Sequence, residues 1–105
     1  DALGNVISIT DLGKMRGKET TVALDANGGG QVVGHGSTFN FHKLTSSTAP
    51  FLWENGEMKN LNQLILDDGG FKKLDSAQGI NGAGEIVGYG IINDERHAYI
   101  ALPLP

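Results

Sequence analysis

The chain has 105 residues, no cysteine, and 8 basic against 12 acidic residues, a formal net charge of −4. That length gives one domain with a modest core, and the charge does not suit a phosphate backbone, so nucleic acid is not an expected partner. Without thiols there is no disulfide, thiolate nucleophile or cysteine-bound zinc, and no apolar run approaches the ~18 residues of a membrane span.

In chain order, Asp1-Ala2-Leu3-Gly4 does not read as a signal peptide. The first expected strand is Val6 to Leu12, followed by Thr21 to Asp25, Gly30 to Gly36 and Pro50 to Glu54. Glu57 to Leu61, Ser76 to Ile80, Gly84 to Gly90 and His97 to Leu102 are expected strands of the second half. These segments are short, rich in Val, Ile, Thr and aromatic residues, and bounded by Gly, Asn and Asp. Leu61, Leu64 and Ile65 allow one helical turn after a strand. Asn27 to Gly30 and Asn81 to Gly84 are turns, and Glu54-Asn55-Gly56-Glu57 is a hairpin signal, because Asn and Gly tolerate the positive φ of tight connections. Ser37 to Ala49 and Asp67 to Asp75 read as two polar loops that differ between the halves, the places where function usually resides.

The halves say nearly the same thing. Ala23-Leu24-Asp25-Ala26-Asn27 through Gly34-His35-Gly36 returns as Ala77-Gln78-Gly79-Ile80-Asn81 through Gly88-Tyr89-Gly90. Ile9-Thr10-Asp11-Leu12-Gly13 matches Met58-Lys59-Asn60-Leu61-Asn62, and Pro50-Phe51-Leu52-Trp53 matches Ala98-Tyr99-Ile100-Ala101. Internal self-similarity is the mark of a repeat architecture. The expectation is an all-β chain of two four-stranded antiparallel repeat units, residues 1–56 and 57–105, in one structural domain. Strand alternation puts Val32, Gly34 and Gly36 on one face, and Ile86, Gly88 and Gly90 on its equivalent. Two glycines in such a row leave room for another backbone or an aromatic ring, for which Phe51 and Tyr99 are the candidates.

The pattern Ala-x-x-x-Asn, then Gly-x-Val-Val-Gly, carried by Ala23 to Gly34, and Phe51-Leu52-Trp53-Glu54-Asn55-Gly56 with Met58 and Leu61, resembles the HAF-type extracellular repeat family of bacteria. His97-Ala98-Tyr99 stands where the family has His-Ala-Phe; the first copy departs there with Ala49-Pro50-Phe51. The resemblance implies a secreted or cell-surface protein whose repeats form blades of a β-propeller-like assembly. It carries no agreed enzymatic activity, so no catalytic residue is transferred.

The residues themselves offer no catalytic constellation. Asp25-Ala26-Asn27-Gly28 opens like a calcium loop but lacks the later acidic ligands, so it reads as a hairpin turn. His35, His42 and His97 have no metal-ligand spacing. His35 and Ser37 share a strand face, but without a nucleophile elbow. Asp67-Asp68 and Asp94-Glu95 are neighbours on polar loops, which more often face water than flank a scissile bond. Gly82-Ala83-Gly84 lacks the rest of a dinucleotide fingerprint. No catalytic residue, metal or cofactor is expected. The expected function is a non-enzymatic extracellular module that assembles with copies of itself into a ring or filament, because a blade cannot bury both faces alone and open strand edges invite pairing. The edge residues in this reading are Val6, Ile7, Ile9, Tyr99 and Ile100. The alternative is a carbohydrate-binding module, with Trp53 or Tyr89 stacking on a glycan and loop amides such as Asn40 or Asn93 beside it.

Overall fold

The computed structural model describes residues 8–104. Among these residues all regular structure is β apart from one turn of 3₁₀ helix. The strands are β1 (Thr20–Ala26), β2 (Val32–Asn40), β3 (Thr45–Glu54), β4 (Glu57–Asn60), β5 (Lys73–Ile80), β6 (Ile86–Ile92) and β7 (Glu95–Ala101). They form two antiparallel meanders, a four-stranded sheet β1-β2-β3-β4 and a three-stranded sheet β5-β6-β7.

Turn chemistry sets this connectivity. Asn55 and Gly56 sit at φ 53° and 80°, and Asn93 and Asp94 at 51° and 63°, two-residue left-handed turns that match the twist of their strands. Asn27 Oδ1 accepts from the amides of Gly29 and Gln31, and Asn81 Oδ1 repeats this with Ala83 and Glu85. Where Leu61, Leu64 and Ile65 suggested one helical turn after a strand, β4 is followed by the 3₁₀ turn Leu61–Gln63, capped by Asn60 Oδ1 accepting from Asn62 N at 2.9 Å.

Three expectations are corrected. Ser8 to Leu12 is not a strand, while Val6 and Ile7 lie outside the described residues. The sheets do not divide at residue 56: β4 follows the Asn55-Gly56 turn straight back onto β3, with Trp53 opposite Met58, so the second sheet has three strands. Ser37 to Ala49 is not an irregular loop. Its Thr, Ser and Phe residues suit extended backbone, and they prolong β2 and β3 as a hairpin pairing Ser37 with Thr48 and Asn40 with Thr45.

Both sheets use one packing device. Gly34 lies opposite Phe51 and Gly88 opposite Tyr99. A β-carbon on Gly34 would collide with the Val22 carbonyl and lie 2.9 Å from the Phe51 ring; on Gly88 it would collide with the Ser76 carbonyl and lie 2.8 Å from Tyr99 Oη. The second glycine of each row is covered from the segment ahead of the sheet, Gly36 by Met15 and Gly90 by Phe71. The main core, with Val33, Leu52, Leu61, Leu74, Ala77, Ile80 and Ile86, lies between the sheets. Met15, Ala49 and Phe51 form a second cluster on the other face of the first sheet, since Phe51 neighbours Leu52 and side chains alternate.

Candidate functional site

The chemistry-bearing groups gather at the junction between the sheets. Asp25 Oδ2 accepts from Ile80 N at 2.8 Å, and Asn27 Nδ2 donates to the Asn81 carbonyl at 2.9 Å. Asn62 makes a reciprocal pair with Leu74, donating Nδ2 to its carbonyl and accepting its amide. His35 Nδ1 lies 3.0 Å from Ser76 Oγ, which also accepts from Gln78 Nε2. These bonds fix the orientation of one sheet on the other where apolar packing alone would let them slide. Ser76 is completely buried, so no substrate carbonyl reaches its hydroxyl. Asp75, 8% exposed, has Lys73 Nζ at 3.4 Å as its cation.

The first sheet presents Val33, His35 and Leu52 to this junction, while the second receives them on its Ile86, Gly88 and Tyr99 face. The opposite face of the second sheet carries Val87, Tyr89, Ile91, Arg96, Ala98 and Ile100, by strand alternation. Its repeat counterparts make the comparison sharp. Val33 is 0% exposed and Val87 is 47%; Leu52 is 8% exposed and Ile100 is 61%. Beside this face, the outer edge of β7 has no strand paired to it among the described residues. An open groove of about 1290 Å³ runs along that edge, lined by Leu52, Ile65, Phe71, Ile86, Tyr99 and Ala101 among others.

The residues singled out from the sequence fall in different places. Tyr99 and Ile100 lie on the open strand β7. Tyr99 turns inward, donating its hydroxyl to the Ser76 carbonyl at 2.9 Å, and burial pushes its phenol well above its usual ionisation range. Ile9 is 90% exposed and lies ahead of the first sheet, not on a strand. Trp53 packs beside Met58 on the Phe51 cluster. The Tyr89 ring is covered by Arg96, whose guanidinium carbon is 4.3 Å from its centroid. Asn93 is a turn residue, and Asn40 Oδ1 accepts from the amides of His42 and Lys43. Trp53 and Tyr89 do not share a surface. They sit on different sheets, Trp53 on the face that points away from the second sheet.

Among the described residues, no cluster of three or more His, Asp or Glu side chains could hold a metal ion, and no helix is long and apolar enough to cross a membrane. His35 pairs with Ser76 across the junction and not with Ser37. Sequence reasoning missed Asp25 and Asn62 as the ties between sheets. A signal was present: the repeat puts Gly79 opposite Asp25 and Gly13 opposite Asn62, so these side chains belong to one junction only. No protein-family model, curated protein or solved structure matches this chain.

Proposed function

We propose that this chain is a non-enzymatic structural module of the bacterial cell exterior, built of propeller-blade-like β repeats, that assembles head to tail with copies of itself. One observation carries the reading. The outward face of the second sheet exposes Val87 and Ile100, whose counterparts Val33 and Leu52 are buried at the internal junction. A face written for burial and left open is an interaction surface. On the far face of the first sheet, half-buried Val32, Trp53 and Met58, packed against the buried Phe51, form the surface that fits it, the counterpart of the Ile86–Tyr99 face inside the molecule. Two different faces meeting give a heterologous contact, which closes into a ring or runs on as a filament. The extracellular setting rests on the HAF-type motifs alone.

A glycan-binding role has less support, because Arg96 covers the Tyr89 ring and Trp53 is engaged with Met58. Light scattering across concentration tests the assembly. The unaltered chain is expected to grow beyond the monomer at micromolar concentration, and Val87→Lys to remain monomeric with an unchanged far-ultraviolet circular dichroism spectrum. An unaltered chain that stays monomeric over that range overturns the proposal.

A further inference from the structure

The head-to-tail reading leaves the second sheet one strand short, and the molecule holds a segment fitted to that vacancy. Ile9-Thr10-Asp11-Leu12-Gly13 is the repeat counterpart of Met58-Lys59-Asn60-Leu61-Asn62, the stretch that forms the end of β4 and the turn after it. The likeness extends to geometry. Gly13 N donates to Asp11 Oδ1 at 2.8 Å, the bond that Asn62 N makes to Asn60 Oδ1 at 2.9 Å. In both places this turn precedes the first strand of the following sheet, β1 or β5. One difference remains: β4 lies on β3, whereas Ser8 to Asp11 lies on no strand and leaves Ile9 90% exposed.

We infer that Ser8 to Asp11 of a second copy adds to the open edge of β7 as the fourth strand of the second sheet. The register follows from the first sheet. Phe51 pairs with Asn60, Leu52 with Lys59, Trp53 with Met58 and Glu54 with Glu57. Carried over by the repeat, Tyr99 pairs with Asp11, Ile100 with Thr10, Ala101 with Ile9 and Leu102 with Ser8. Antiparallel addition pairs the outward amides and carbonyls of β7, to which no strand is paired among the described residues. Strand alternation turns Ile9 to the Tyr99 and Ala101 side, into the apolar groove, as Met58 turns to the Phe51 side of the first sheet.

The donor comes from another molecule because of where the segment lies. Thr10 to Gly13 rests near Thr21, Ala23, Phe51 and Met58. Phe51 and Met58 belong to the face of the first sheet that points away from the second, so β7 of the same chain lies on the other side. That same placement suits a neighbour. When the far face of one copy docks on the outward face of the next, its own Ser8 to Asp11 arrives beside the open β7.

The chain has no cysteine, so cross-linking can read the register directly. This inference rests on the assembly proposed above, and scattering is recorded on the same samples to separate the two. Thr10→Cys and Ile100→Cys proteins are mixed and mildly oxidised. Opposed residues in an antiparallel pair are about 4.5–5.5 Å apart, within disulfide reach. The mixed dimer is expected to form at least about tenfold faster than with Ala98→Cys in place of Ile100→Cys, two residues off register. Assemblies that scatter normally but cross-link equally, or not at all, overturn the strand addition and leave the assembly standing. A double Thr10→Cys, Ile100→Cys protein that closes within one chain at high dilution overturns the intermolecular donor. Monomers in every sample overturn both.

Discussion

The two sheets carry one repeated text and end in different conditions. Each has a glycine row under an aromatic ring, Gly34 under Phe51 and Gly88 under Tyr99, and each has its second glycine covered from the preceding segment. Yet the first sheet has four strands and the second three, and the aliphatics buried on the first are exposed on the second. The repeat therefore dictates how a sheet is built within itself, while burial of its faces depends on what stands next to it. The ties between the sheets teach the converse. Asp25, Asn62 and His35 act at the internal junction, and the repeat replaces them with Gly79, Gly13 and Tyr89. The internal junction is fixed by directional bonds, whereas the proposed junction between copies would rely on apolar contact and strand pairing and would be the more reversible of the two.

Breaking the shared device gives the largest effect. Gly34→Ala and Gly88→Ala each drive a methyl group into a backbone carbonyl and an aromatic side chain. Neither neighbour can retreat, since the carbonyl belongs to the adjacent strand, so each substitution costs about 3 kcal/mol or more in urea unfolding. Gly28→Ala is the control. Its β-carbon meets nothing within 4 Å and its φ is not positive, so stability stays within about 0.5 kcal/mol. Equal losses at Gly34 and Gly28 would mean that the glycine–aromatic contact does not organise the sheets.

Breaking the difference gives a smaller effect. Asp25→Ala removes the acceptor of the Ile80 amide, and Ile80 is buried. An orphaned buried amide, formerly bonded to a charged group, costs about 1–3 kcal/mol. Asp25→Asn keeps an acceptor oxygen and recovers most of that loss. Because Gly79 holds the corresponding place in the second copy, assembly measured by scattering should change far less than stability. A parallel fall in both would show that the two junctions are tied alike.

Strand pattern and turns were legible in the sequence because each has a local cause. The Asn-Gly pairs, the alternation of Val32 and Val33 and the glycine rows need no tertiary information. The phase of the sheets was not legible. Met58 and Ile9 are equivalent in the repeat, but only the Asn55-Gly56 turn returns β4 onto β3, and it lies inside the stretch that the repeat pattern cut in two. Ser37 to Ala49 misled for another reason, since polar Ser and Thr look like a loop although they suit an exposed hairpin. The junction bonds were hidden by distance in sequence. The sequence sets His35 beside Ser37, whereas its partner Ser76 is 41 residues away.

The smallest expected effect isolates a chemical difference between the glycine-covering rings. Phe51 in the first sheet has nothing to ionise. Tyr99 in the second donates a buried hydroxyl to the Ser76 carbonyl. At neutral pH, Tyr99→Phe loses that bond and costs about 1 kcal/mol. Above pH ~10 the unfolded phenol gives up its proton, while in the folded protein burial holds the pKa higher and the proton stays on. The folded state then binds more protons than the unfolded one, so stability falls with rising pH. Tyr99→Phe lacks this term, and its stability curve should approach that of the unaltered chain from below as pH rises from 9 to 11. Urea midpoints across that range measure it, with Phe51→Tyr as the reciprocal variant. Curves that stay parallel would mean that the Tyr99 hydroxyl is hydrated in the folded protein, and that the two sheets differ at this position in shape alone.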